Sequence, residues 1–193
     1  MKPPGFEQQT RHTPANLMKK LSTTLLPSFA LTLCGLLLLS STSQAENKKS
    51  LISDTESRFI QNAAIGSHAE TEFAELGVKK AEQANVKAFA ETLITDHKAL
   101  SKDLKELAAA QSVLLSQEIT PEETATLHKL ERATGAEFDK EFLAAFADSG
   151  RSQISNYAKA SKDQNDTELK VIVDKTIPVL KAHQATAIAL AAK

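Results

Sequence analysis

Residues 86–107, VKAFAETLITDHKALSKDLKEL, decide the fold: Val86, Ala90, Leu93, His97, Leu100, Leu104 and Leu107 follow one another at spacings of four and three in turn. That alternation lays one stripe along one side of an α-helix and demands a partner surface to cover it. The same rhythm occurs upstream at Phe59, Ala63, Gly66, Glu70, Phe73 and Gly77. This upstream stripe starts at Ser53-Asp54-Thr55-Glu56, a capping box in which hydroxyl and carboxylate satisfy free backbone donors reciprocally. A short turn near Glu82 to Asn85 joins the two. After a loop over Gln111 to Thr120, Thr120-Pro121-Glu122-Glu123 supplies an N-cap, a proline at the first helical position and an acid at the third. A third stripe runs through Leu127, Leu130, Thr134, Phe138, Phe142 and Ala145. Ser149-Gly150 weakens it, because glycine costs about 1 kcal/mol against alanine in a helix interior, and Ile154, Tyr157 and Ala158 resume or continue the pattern. Asp166 is placed to cap a last stripe at Leu169, Val173, Thr176, Leu180, His183, Ala187 and Leu190, with Pro178 expected to kink it. Four amphipathic segments with short connections predict an all-α, antiparallel four-helix bundle over residues 54–192.

Composition agrees. The 193 residues carry 23 basic and 24 acidic groups, a net charge of −1, with no tryptophan and 5% aromatic residues. A chain so poor in aromatics is a poor β-sandwich or barrel, and charge so near zero gives no reason to expect nucleic acid or an anionic membrane surface as a partner. Residues 1–45 read as leader and secretory signal: Lys19 and Lys20 precede an apolar run from Leu21 to Leu39, and Ser43 and Ala45 stand where signal peptidase needs small residues. Cleavage is expected after Ala45, with Met18 a more natural start than Met1. The densest apolar stretch, Leu25 to Leu39, is short for a bilayer span of about 20 residues, so no stable membrane span is expected after cleavage. Cys34, inside the run and preceded by Leu33, does not fit a lipoprotein signal. Removing the leader takes the net charge to −4 and leaves no cysteine. The expected product is a periplasmic or secreted domain held by core burial alone, with residues 46–53 as an unstructured start.

Three stripe positions hold ionisable groups: Glu70, His97 and His183. Burying them is costly unless they are paired, hydrogen-bonded or bound to metal. Glu70 and His97 stand equally far from the first turn, about 20 Å at the helical rise, so they should face each other across adjacent helices. A third helix counted from residue 121 reaches that height near residue 135, which makes Glu131, Gly135 and Phe138 the local wall with Glu137 and Glu141 at its edge. His183 comes out opposite residue 147, about 18 Å lower. The pair reads either as a register-fixing ion pair or hydrogen bond, or as two ligands of a metal site. His68 and His128 fall off the stripes and read as solvated, and Phe138, Phe142 and Phe146 read as core.

These residues resemble a known family. Phe59 with Ala63-Ala64, Gly66, Glu70-x-Glu72, Leu76, Val86-Lys87-Ala88-Phe89-Ala90 and Asp96-His97 fit its first blocks in order. Gly135-Ala136-Glu137-Phe138-Asp139 and Pro178-Val179-Leu180-Lys181-Ala182-His183 fit its later ones. The chain thus resembles the exported bacterial proteins grouped as domain of unknown function 4142, a family considered ferritin-like. The resemblance implies a periplasmic or secreted helical bundle with no assigned activity. The family often carries a histidine about a dozen residues after the Phe-Asp pair, where this chain has Ser149-Gly150-Arg151; if that histidine joins the one matching His183 in binding, half of that site is gone here.

A di-iron bundle needs Glu-x-x-His on two helices, but Ile94 and Leu180 stand three before His97 and His183. A ferroxidase centre is therefore not expected; a mononuclear site is the most that could form. No nucleophile–base pairing is visible either, and Asp96 and His97, as helix neighbours, diverge by about 100°. The leading expectation is a non-catalytic, stress-related envelope protein acting through an unidentified protein or small ligand. The alternative is a metal-binding or metal-buffering bundle taking one divalent transition metal ion, with Glu70, His97, His183 and Glu137 as candidate ligands. Alanine-rich stretches such as Ala108 to Ala110 also allow a homo-oligomer.

Overall fold

The computed structural model describes residues 52–163 and 165–193. The expected signal segment, its expected cleavage site and both candidate start methionines lie outside the described residues. Ile52 and Ser53, which the sequence assigns to an unstructured start, belong to the bundle: Ile52 is buried and Ser53 caps the first helix. The described residues form five helices and no strand: α1 (Asp54–Lys80), α2 (Ala84–Ala110), α3 (Pro121–Arg132), α4 (Gly135–Asp163) and α5 (Thr167–Ala191). None is long and apolar enough to cross a membrane.

Four of these are long and make the bundle; α3 is a short addition. Both expected capping boxes form, at Ser53/Glu56 and at Thr120/Glu123. The expected continuous third helix is instead two. Ala133 is extended and Gly135 adopts φ +57, a left-handed conformation in which glycine escapes the Cβ clash, so the chain turns sharply before α4. Gly150, the expected weak point, lies inside an unbroken α4. It lets α4 approach α5, since a Cβ there would lie 3.0 Å from Gln184 Cβ. Likewise α5 continues through Pro178.

Side-chain contacts give the directions. Gln61 Nε2 donates to Leu114 O and Gln111 Nε2 to Asp166 Oδ2, so α2 ends beside the start of α1 and of α5. Glu123 then approaches Gly66, and Lys80 Nζ donates to Leu130 O at 2.9 Å. The 111–120 segment and α3 therefore climb beside α1 to the opposite end, from which α4 descends parallel to α2. Antiparallel neighbours are α1–α2, α4–α5, α1–α4 and α2–α5.

The core falls into two apolar clusters stacked along the bundle. One gathers Phe73, Phe89, Leu93, Phe138, Phe142 and Phe146, the other Ile60, Leu100, Leu104, Tyr157, Leu169 and Leu180. The three phenylalanines of α4 are core, as expected.

A buried carboxylate clamps a tight turn at each end. Asp139 of α4 accepts the backbone N–H groups of Glu82 (3.0 Å) and Gln83 (2.9 Å) at the α1–α2 turn. It supplies from another helix the acceptor that N-cap Gln83 does not. Glu56 of α1 accepts from the backbone N–H groups of Ser53 (2.8 Å), Asn165 (2.8 Å) and Asp166 (3.0 Å), pinning the α4–α5 turn. Burial would raise the Glu56 pKa, but these donors outweigh it and hold the group down at about 2 against an ordinary 4.5. Because folding lowers this pKa, the stabilisation is complete above about 4.5 and is lost as pH falls toward 2. Glu56→Gln should cost about 1.5–3 kcal/mol at pH 7 and flatten the loss of stability between those pH values, as measured by urea unfolding of both proteins across that range.

Candidate functional site

Where the two apolar clusters meet, each long helix contributes polar groups. In α1 Glu70 lies between Ile60 and Phe73, in α2 His97 lies between Leu93 and Leu100, and in α5 His183 lies between Leu180 and Ala187. Their exposures are 4%, 2% and 6%. Glu70 Oε2 and His97 Nε2 stand 3.2 Å apart, as equal distance from the α1–α2 turn requires. They are not aligned for a hydrogen bond. Ser149 of α4 donates to Glu70 Oε1 at 2.6 Å, and Ser67 donates to the His97 carbonyl at 3.0 Å.

The structure corrects the expected height of His183. Its ring centroid is 5.4 Å from that of His97, so the imidazoles are neighbours. Counting the third helix from residue 121 caused the error, because the long helix begins at Gly135 after the chain has climbed the bundle. The neighbour on α4 at this level is thus Ser149, and Gln184 beside His183 donates to Ala147 O at 3.2 Å. The expected opposition of His183 and residue 147 holds; the expected wall at Glu131, Gly135 and Phe138 does not. Glu137 is exposed in the first turn of α4, about 18 Å along the helix from Ser149, and lies apart from this cluster. Glu141 pairs with Lys129. His128 is exposed, and His68 is partly exposed beside Glu72 at 3.6 Å.

Asp96 was missed as a site residue. It diverges from His97, as helix neighbours must, and that divergence aims it at α5, where Oδ2 lies 2.8 Å from His183 Nε2. Ser149 was also missed; it occupies the region where the family often carries a histidine. Neither lies on a stripe. Only the pairing of α2 with α5, and of α1 with α4, could have pointed to them.

Each imidazole therefore has a carboxylate at Nε2 and an Nδ1 without a hydrogen-bond partner among the described residues. Where His183 donates Nε2–H to Asp96, Nδ1 of the neutral ring keeps its lone pair, whereas His97 has no hydrogen-bond partner at either ring nitrogen among the described residues. Burial drives the His97 pKa down to about 3, helped by the nearby His183 charge and opposed by Asp96. Burial raises the Glu70 pKa against the lowering effect of Ser149, Gln153 and His183. The contact is thus pushed toward its neutral form. Among the described residues, no three His, Cys, Asp or Glu side chains converge on one point. What the cluster brings together is the pair of imidazole rings.

Buried polar atoms without partners cost about 1–3 kcal/mol each, so this cluster opposes stability. Replacing Glu70 and His97 together by leucine should leave the melting temperature at or above that of the wild type. A fall equivalent to more than about 2 kcal/mol would show that the polar pair holds the bundle together.

Among curated proteins none matches the chain. Solved structures do. A DUF305 fragment from Deinococcus radiodurans matches with a TM-score of 0.66 at 11% identity, over 72% of this chain and 97% of that one. CopM in its Cu(II)-bound form matches with a TM-score of 0.63 at 18% identity, over 70% of this chain and 95% of that one. Its Cu(I)-bound form gives 0.61 at the same identity, over 70% and 94%. Such low identities establish a shared helical fold. Residues 41–190 match the sequence family described as Domain of unknown function (DUF4142), and the chain belongs to that family.

Proposed function

We propose that this protein is an exported, non-catalytic bundle of the cell envelope that binds one transition metal ion, copper before zinc, between His97 and His183. One observation carries the reading: two buried imidazoles with ring centroids 5.4 Å apart, His183 hydrogen-bonded to Asp96 through Nε2, His97 Nε2 3.2 Å from Glu70, and both Nδ1 atoms unpartnered among the described residues. A carboxylate on the far nitrogen is how metal-binding histidines are oriented and made more basic. Two imidazoles on one tetrahedral ion, each nitrogen about 2.0–2.1 Å from it, hold their ring centroids about 5 Å apart. With its pKa near 3, His97 offers a lone pair without proton competition at neutral pH. Imidazole ligands suit copper and zinc, and copper(II) heads the affinity order of the divalent ions.

The fold supports the same reading. The single long crossover between α2 and α4 is the connectivity of ferritin-like bundles, but the bridging carboxylates of a di-iron centre are replaced by Ile94 and Leu180, so the site is mononuclear. Asp96 orients the His183 ring, Glu70 stands beside the His97 ring, and Glu137 has no part. Solved structures of this fold include copper- and silver-bound forms of CopM. Export rests on the basic, apolar and small-residue pattern up to Ala45.

The test is metal analysis after loading with copper(II) and exhaustive dialysis. Wild type should retain one copper per chain. His97→Ala and His183→Ala should each retain less than a fifth of that, and Asp96→Asn should bind about 10- to 100-fold more weakly. Substoichiometric copper, unchanged in both histidine variants, would leave the cluster as a register lock and end the metal reading.

A further inference from the structure

We propose that the groove between α1 and α4, about 900 Å³, binds a short peptide of about three or four residues with free ends. Its ammonium group sits at Glu122 and Glu123, and its carboxylate between Arg58 and Lys159. This site does not depend on the metal reading. Its volume falls among small-ligand pockets, which hold about 300–1,000 Å³. The groove exists because α3 covers only part of the α1–α4 seam. Toward the Lys80 end, Lys80 donates to Leu130 O and Lys129 pairs with Glu141. The helix starts only at Pro121, and Glu123 in its first turn stands over Gly66. From Gly66 toward Asp54 no described helix covers the seam, and Phe59, Ala63 and Ile65 are left half-buried along it.

Heights along the groove follow from the helical rise. Ser149 is level with Glu70, since its hydroxyl donates to Oε1. Counting along both antiparallel helices at about 1.5 Å per residue brings Gln153 level with Gly66, Asn156 with Ala63 and Lys159 with Ile60. Arg58 lies about 3 Å beyond Ile60 on α1, so the two cations face each other across one end of the groove. At the other end Glu123 lies against Gly66 with Glu122 beside it, about 12 Å from the height of Arg58. The Glu123 charge adds to the rise of the Glu70 pKa, which marks that end as acidic. Two acids and two cations so separated match a molecule with an ammonium and a carboxylate at its two ends. An extended chain covers about 3.3–3.6 Å per residue, so three or four residues span the gap.

The lining between the charged ends suits peptide groups. Asn62 and Asn156 border the groove from opposite helices, and each carboxamide offers a donor and an acceptor. Phe59, Ala63 and Ala160 supply apolar surface for side chains. Tyr157, also in the lining, is 2% exposed, and its hydroxyl has no hydrogen-bond partner among the described residues. A buried hydroxyl left so is costly, and a peptide carbonyl would supply the acceptor. Arg58, Lys159 and Glu122 form no ion pair among the described residues, and Glu123 accepts from the Thr120 N–H. Two more acids border the cationic end. Glu56 has both oxygens committed to Ser53, Asn165 and Asp166. Asp163 lies one turn beyond Lys159 and repels a carboxylate placed further out, so the cation pair fixes where the ligand ends.

Calorimetric titration of the purified protein with the free-ended tetrapeptide Ala-Leu-Ala-Leu tests the site. It should saturate one site per chain with a Kd below about 1 mM. Tyr157, the only tyrosine in a chain without tryptophan, should change its emission on binding, because the peptide itself is silent. Acetylating the peptide's amine or amidating its carboxylate should each weaken binding about fivefold, the loss of exposed charge contacts. In the double variant Arg58→Gln, Lys159→Gln the free-ended peptide should bind as weakly as the amidated one binds wild type, and amidation should cost nothing more. Glu122→Gln should shrink the effect of acetylation alone. All three positions are exposed, and circular dichroism checks that the variants fold. Equal affinity for free-ended, acetylated and amidated peptides overturns the proposal, as does unchanged binding in the double variant. Absence of saturation by about 5 mM also overturns it. If only a basic amphipathic helix of about twelve residues binds, the groove docks a protein and the peptide site falls.

Discussion

The contact of Glu70 with His97, inside the seam between α1 and α2, is the constraint around which the rest of the bundle is arranged. An acid and an imidazole in a dry interior oppose folding, so the molecule must pack well enough elsewhere to hold them. It does so with two apolar clusters, one on each side of the polar level. The phenylalanines of one and the leucines of the other exclude water from the cluster, and that exclusion is what drives the His97 pKa down and the Glu70 pKa up.

Register follows from the same need. A slip of one turn on any helix would carry an ionisable side chain into an apolar layer, so the levels must be locked at the ends. Asp139 and Glu56 perform that role, each accepting backbone donors from a turn between two other helices. The two clamps act on opposite ends of the bundle, and α4 and α1 each contribute one. The polar level between them is thereby held in place without any disulfide.

The solved structures of similar fold say that helices can be arranged this way; they do not say what this chain binds. At 11–18% identity the chemistry has to come from the residues present. Here those residues are two neighbouring buried imidazoles, one hydrogen-bonded to Asp96 and one beside Glu70, rather than the carboxylate-bridged pairs of a di-iron bundle.

The stripes of α1, α2 and α5, the caps at Ser53, Thr120 and Asp166, and the meeting of Glu70 with His97 were determined by the sequence alone. Stripe spacing and helical rise are local quantities, and a short turn transmits them from α1 to α2 with no free parameter. The height of α4 and α5 was decided only in three dimensions. The connection over residues 111–134 climbs beside α1, and nothing in its composition states how far it climbs before Gly135 turns the chain. On that distance depend the neighbourhood of His183 and His97, the loss of Glu137 from the site, and the arrival of Ser149 and Asp96. The last two escaped notice because periodicity finds what faces the core of one helix, whereas their partners are set by which helices become neighbours.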